Sequence, residues 1–281
     1  MKRGILPNTA TALTAAGLLL LGSGPAEVYP ETMLRSNGQV SFAPYLAGVT
    51  DNVERKPGYR SELFVYTDVI RSGRWTFSWL ISNTTLIVRP PGAGFTLDKI
   101  RYTLSPSFRC EFKKWIATGL LLHECIHSIS RPEANGLSTW WNALQLGAGT
   151  KGAYHWFLID KYNTRDITLG NSLDAALTAG AYLRGNASRW IAQNHTYRAD
   201  LSGLLRYHFP PAGHHAFFAD IQYHAWLSDG GSATGKCALS LNAVFFGRDN
   251  IAALYWTQIL RDRNPHDNED GLGSLGIKII F

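Results

Sequence analysis

The sequence predicts an all-β chain: a transmembrane antiparallel up-and-down β-barrel of about 12 strands. Three observations predict it. Apolar residues recur with a period of two along almost the whole chain, the alternating runs go well beyond ten residues, and short polar or Gly-rich breaks separate them. A soluble sandwich alternates too, but its strands average about five or six residues. Long runs with a tall apolar, aromatic-flanked face and charge on the opposite face fit a wall with lipid on one side and water on the other.

The first element is a leader. Lys2 and Arg3 make a short positive start, "TALTAAGLLLLG" is an apolar core, and the small residues of "GSGPA" follow, so a signal peptide over residues 1–26 is expected. That leaves one barrel domain over residues 27–281. The apolar run is too short for a spanning helix, and no later run approaches the ~18 consecutive apolar residues such a helix needs. Loss of Lys2 and Arg3 lowers the formal charge from +6 to +4, an excess without the clustering that nucleic-acid binders use, so no nucleic-acid partner is expected. Three cysteines cannot make a disulfide scaffold. Cys110 faces about Ala117 across a tight turn at Lys113–Lys114, so a Cys110–Cys125 bridge is not expected.

The barrel strands follow in order. "QVSFAPYLAGV" is a first candidate. In "RWTFSWLISNTTLIV" the residues Trp75, Phe77, Trp79 and Ile81 oppose Thr76, Ser78 and Ser82. In "LDKIRYTLSPSFRCEFK" the side of Ile100, Tyr102, Leu104, Phe108 and Phe112 opposes Lys99, Arg101, Thr103, Ser105, Ser107 and Arg109. "ITLGNSLDAALTAGAYLR" sets Ile167, Leu169, Leu173, Leu177 and Leu183 against Thr168, Ser172, Asp174, Thr178 and Arg184. Similar runs cover 191–209, 215–228 and 237–246. The last, "LGSLGIKIIF", puts Leu275, Ile277, Ile279 and Phe281 on one face, and it looks like the closing strand of a bacterial outer-membrane barrel.

Candidate strands number about thirteen, whereas bacterial single-chain barrels use even numbers. The surplus falls between Thr139 and Asp166. Removing it gives twelve strands and puts the break at Ser130–Ser138 on the same, extracellular, side as "RDRNPHDNEDG". On the lumen side, Arg101, Arg109, Asp174, Arg184, Arg198, Asp200 and Arg206 would line an aqueous pore or form a salt-bridged plug. Scattered histidines (His155, His195, His208, His214, His215 and His224) read as wall or girdle residues.

"WIATGLLLHECIHSIS" carries the candidate chemistry. Its His-Glu-x-x-His pattern, HECIH, would on a helix bind zinc through His123 and His127 with Glu124 as base, a metalloprotease reading. As a strand, the same letters place His123, Cys125 and His127 on one face, with the histidines ~13 Å apart and unable to share one ion. The alternating neighbours favour the strand. Which wall this face looks out from stays open, since Trp115, Ala117 and Leu121 share it while Ile116, Leu120 and Leu122 oppose it.

Here the residues carry a resemblance. "HEC", the polar loop "SRPEANGLST" and then "WWNAL" look like the active-site region of the outer membrane phospholipase A family, in which His-x-Ser on one strand is followed by Trp-Asn on the next. The stretch from "GKCALSLNAVFF" to "GLGSLGIKIIF" is also similar to that family's last three strands. The resemblance implies a twelve-stranded barrel in the bacterial outer membrane that hydrolyses phospholipid acyl esters. His123 would be the base, Cys125 the nucleophile and Asn142 the residue orienting the imidazole. It further implies calcium, with Glu133 and Ser138 as candidate ligands, membrane lipids as partners, and a homodimer. The departures are Cys for Ser, Ile126 and His127 in place of small residues, and a longer interval to Asn142. They leave an active and a degenerate site both open. The alternative is a non-enzymatic channel or scaffold barrel, conducting a solute or holding a partner envelope protein.

Overall fold

A computed structural model describes residues 31–46, 56–89, 96–129, 138–153, 172–183, 197–212, 215–247, 251–264 and 269–281. The expected signal peptide lies outside them, as do Glu133 and Arg184. Twelve strands form one closed sheet. They are β1 (Glu31–Leu46), β2 (Lys56–Ser72), β3 (Trp75–Arg89), β4 (Thr96–Glu111), β5 (Trp115–Ser128), β6 (Ser138–Thr150), β7 (Ser172–Leu183), β8 (Tyr197–His208), β9 (His215–Ser228), β10 (Ala233–Phe246), β11 (Ile251–Asp262) and β12 (Gly273–Ile280). Each pairs antiparallel with its sequence neighbours, and β1 pairs with β12 to close the ring. Of the thirteen candidates the surplus one fell between Thr139 and Asp166, where the one described strand is β6.

The seam is built from the residues that alternate at the chain's end. Phe42 opposes Ile277 and Val40 opposes Ile279, and Gly38 exchanges both backbone hydrogen bonds with Phe281 at 2.8 and 2.9 Å. A side chain at Gly38 would run into the Phe281 ring where it lies, so glycine lets this terminal aromatic pack directly against β1. We call the rim at which β1 begins and β12 ends the lower rim. Connections 73–74, 112–114, 151–171, 209–214 and 247–250 lie there, and the β5–β6 connection lies at the upper rim with 263–272. The wall is uneven in height: β2 spans 17 residues and β12 only 8.

Burial is inverted relative to a soluble protein. On β3, Thr76 and Ser78 are 1% and 0% exposed while Ile81 is 52% exposed. The same inversion places Ser105, Ser107 and Arg109 inside and Tyr102, Leu104 and Phe108 outside on β4. An exterior of this kind is stable only against hydrocarbon. Partnered charges cross the bore. Arg109 lies 2.7 Å from Asp68 through two nitrogens and 3.2 Å from Glu111. Arg206 pairs with Asp220 at 2.7 Å, donates to the Gly152 carbonyl at 3.2 Å and lies 4.3 Å over the Phe218 ring. Towards the upper rim Glu269 takes both Lys236 and Arg60, the latter at 3.4 Å. The expected lumen residues Arg101, Arg109, Asp174, Asp200 and Arg206 all face this network, Arg101 pairing with Glu124 and Asp174 with His208. Arg198 instead points outward at the bulge that opens β8.

Below the charges, Phe218, Val244, Ile251 and Ala253 make a small apolar cluster inside the lower rim. Above them, Tyr197 stacks between Trp141 and Trp226 at 6.0 Å from each, and His224 lies on Trp226 at 3.8 Å. A cavity of about 420 Å³ remains between β1–β3 and β8–β12, lined by Gln39, Glu62, Asn242 and Lys278 among others.

The Arg206–Asp220 pair is enclosed on both sides, so losing one partner strands a charge. Asp220→Ala is expected to destabilise the barrel by about 3–5 kcal/mol, whereas replacing both partners with apolar residues of similar volume is expected to cost much less. Urea-unfolding midpoints in detergent, read from heat-modifiable migration, check both.

Candidate active site on the outer wall

β5 positions the candidate residues through its pairing on both sides. Its odd-numbered residues share a face with Tyr102 and Leu104 of β4, which oppose Cys125 and His123, and with Trp140 and Asn142 of β6, which oppose the same two residues. Leu121, Leu104, Tyr102 and Leu146 on that face are all exposed. The ambiguity in the β5 pattern is thereby resolved: His123, Cys125 and His127 look outward, and Ile116 and Ile126 are buried inward. Directly opposed residues in an antiparallel pair have neighbouring side chains, so the cross-strand placement of Asn142 beside His123 follows from the register alone.

The side chains complete the arrangement. His123 Nδ1 lies 2.8 Å from Asn142 Oδ1. An amide oxygen only accepts, so Nδ1 carries the proton and donates it there. Nε2 is then an acceptor, and it lies 3.4 Å from Cys125 Sγ. The thiol thus has a base within reach, and the base has a third group fixing its tautomer, which is what nucleophilic acyl chemistry requires. The three predicted residues, His123, Cys125 and Asn142, are brought together. All of them sit towards the upper rim, with Cys125 three residues from the end of β5.

Other predictions fare differently. HECIH is a strand, not the helix a zinc protease needs. Glu124 turns inward to Arg101 at 3.7 Å, on the opposite side of the wall from His123 and His127, so the zinc reading is overturned. Among the described residues no three His, Cys, Asp or Glu side chains converge to hold a metal ion. Of the two calcium candidates, Glu133 lies outside the described residues and Ser138 is described only as the first residue of β6. Cys110 opposes Ala117 as expected, and all three cysteines are free.

The register also reveals neighbours that sequence reading missed. Cys125 is the small residue between two aromatics, Tyr102 on one side and Trp140 on the other. The Trp140 ring lies 6.0 Å from the His123 ring, and Tyr102 meets His127 edge-on at 5.8 Å. Both aromatics alternate correctly in the sequence, but only strand pairing shows that they flank the thiol.

No family profile matches this sequence, and no curated protein is significantly similar to it. Solved structures share its outline. Outer membrane phospholipase A from Escherichia coli is 10% identical with a TM-score of 0.46, covering 95% of this chain and 96% of its own. A Salmonella typhi outer membrane phospholipase dimer with bound calcium is 9% identical with a TM-score of 0.49, covering 94% and 95%. The translocator domain of the autotransporter NalP from Neisseria meningitidis is 15% identical with a TM-score of 0.44, covering 97% and 94%. At such identities and scores the likeness is one of barrel outline and says nothing of chemistry. By its closed antiparallel strands, apolar exterior and polar bore, this chain is itself a β-barrel of the bacterial outer-membrane type.

The outward thiol has a direct consequence for labelling. In the folded protein in detergent, a lipophilic maleimide is expected to modify Cys125 and to leave the buried Cys110 untouched until unfolding. His123→Ala is expected to slow the Cys125 reaction, since the thiolate is the reacting species. Peptide mass mapping over a time course reads both.

Proposed function

We propose that this chain is an outer-membrane acyl-ester hydrolase acting on phospholipids, with Cys125 as nucleophile, His123 as general base and Asn142 as the residue that orients it. One observation carries the reading: Sγ–Nε2 and Nδ1–Oδ1 distances of 3.4 and 2.8 Å on a single outward face. A phospholipid in the adjoining leaflet can reach that face without leaving the membrane. The mutual distances, not the residue types, support the proposal.

The steps follow from the proton positions. His123 Nε2 takes the thiol proton as Sγ attacks the ester carbonyl, and Asn142 holds the resulting imidazolium through Nδ1–H. The imidazolium returns its proton to the departing glycerol oxygen, leaving an acyl thioester. Water, deprotonated by His123, then releases the fatty acid and restores the thiol. Calcium, if held by Glu133 of the β5–β6 connection and Ser138 at the start of β6, would offer positive charge to the carbonyl oxygen. Among the described residues no three His, Cys, Asp or Glu side chains converge to hold it, so no step is routed through it.

The channel reading rests on the bore. Against it stand the paired charges across the lumen, the stacked aromatics Trp141, Tyr197 and Trp226, and the apolar cluster inside the lower rim. Such contents suit a filled scaffold better than a conduit.

The test is acyl release from phospholipid in mixed micelles. The wild-type chain is expected to release acyl groups, Cys125→Ala to release none, and His123→Ala to fall by ~10²–10⁴-fold. Asn142→Ala is expected to lose less, because it perturbs the imidazole without removing the base. All variants should keep the heat-modifiable migration of a folded barrel, since each side chain lies on the outer wall. No release by the wild type, with or without added calcium, would remove the enzyme reading and leave the scaffold.

A further inference from the structure

The sulfur, the aromatics beside it and the second histidine point beyond hydrolysis. This inference rests on the proposed acyl chemistry at Cys125 and goes further in naming what receives the acyl group. We propose that the site is an acyltransferase that passes a phospholipid acyl chain to the primary amine of a membrane-resident amphiphile.

Three observations converge. The nucleophile is a thiol, so the covalent intermediate is a thioester. Thiolate is a better leaving group than alkoxide, and a neutral amine attacks such a carbonyl far better than water does. The thiol also sits where water is scarce. Tyr102 and Trp140 flank it on the adjoining strands, and Leu104 and Leu121 lie below on the same outward face. Exclusion of water from such a site protects a reactive intermediate from hydrolysis. Apolar surroundings also favour the uncharged form of an amine over its ammonium, which supplies the nucleophile. Lastly, Cys125 has a histidine two residues away on each side, His123 below and His127 above, all on one face. Asn142 holds His123, and the edge of Tyr102 rests against His127 at 5.8 Å. Hydrolysis uses one base, and His127 stands on the side of the thiol nearer the upper rim, where amphiphile headgroups lie.

The chemistry balances without a co-reactant. In the first half, the Sγ–H proton passes to His123 Nε2, the carbon–sulfur bond forms, the ester carbon–oxygen bond breaks, and the proton goes to the glycerol oxygen. The products are S-acyl-Cys125 and a lysophospholipid. In the second half, the amine nitrogen attacks the thioester carbonyl while His127 accepts its proton. The carbon–sulfur bond breaks with its electron pair on sulfur, and the sulfur takes up the proton that the amine gave to His127, which returns the histidine to its neutral form. The products are an N-acyl amine and the free thiol, so no water is consumed and nothing is oxidised or reduced.

The experiment uses the full-length folded chain in vesicles of phosphatidylcholine with a labelled acyl chain, with and without dodecylamine, and in vesicles of phosphatidylethanolamine. In phosphatidylcholine alone, S-acyl-Cys125 is expected to build up to a standing level set by its slow discharge to water, seen by intact mass and removed by hydroxylamine. Dodecylamine or phosphatidylethanolamine is expected to drain it into amide, with free fatty acid as the minor product. His127→Gln is expected to raise standing S-acyl-Cys125 and lower amide formation by roughly 10²-fold. Cys125→Ser is expected to shift what product remains towards free fatty acid. Free fatty acid as the main product in the presence of amine would overturn the transferase and leave the hydrolase standing. An unchanged product split in His127→Gln would overturn the role given to that residue. Neither lysophospholipid nor S-acyl-Cys125 in any vesicle would overturn both readings.

Discussion

Closure of the backbone ladder is the constraint on which everything else rests. In hydrocarbon an unpaired N–H or C=O has no water to turn to, so a sheet can cross a membrane only if it has no edge. The pairing of β1 with β12 removes the two edges that eleven hairpin neighbours would leave, and the Gly38–Phe281 exchange carries it to the last residue. Once the ring is closed, each strand is obliged to alternate between two solvents. The apolar residues then belong outside and the polar ones inside, where a narrow bore has to hold them.

That inversion explains the interior. Charges in the bore have lost most of their water, so they persist only in partnership. Arg109 with Asp68 and Glu111, and Arg206 with Asp220 and the Gly152 carbonyl, are the outcome. It also explains why a reactive group can stand on the exterior. Surrounded by leucines and aromatic rings, a polar triad on the outer face is tolerated because its members satisfy one another: Asn142 satisfies His123, and His123 satisfies Cys125. On that wall, the hydrogen bonds that make polar side chains tolerable are the same ones the proposed chemistry would use.

Much of this was legible in the sequence, because period two is a local property. Trp75 through Ile81 and Tyr102 through Phe108 show their faces without reference to any partner, and both faces stand as read. The surplus candidate between Thr139 and Asp166 shows the limit: periodicity proposes strands one at a time, and only ring closure counts them. The face of β5 was illegible for a related reason. Leu120 and Leu122 point into the bore and are as apolar as Leu121, which points out, so local hydropathy does not discriminate. Pairing with Tyr102 and Leu104 does. The flanking of Cys125 by Tyr102 and Trp140 is wholly a matter of register, a property of three strands together and of none separately.

The unequal strands leave one further mark, on the surroundings and not on the protein. Eight residues of β12 at ~3.3 Å each, inclined at ~40°, span ~20 Å, whereas the 17 of β2 span ~43 Å. The two are separated only by β1, itself 16 residues long, so the step in height falls at the seam. Lipid there meets a short strand set directly beside tall ones, a mismatch that it accommodates by thinning locally. Lipids near the seam are then packed differently from those beside β5 and β6, which differ in length by one residue, so the molecule shapes the medium around it.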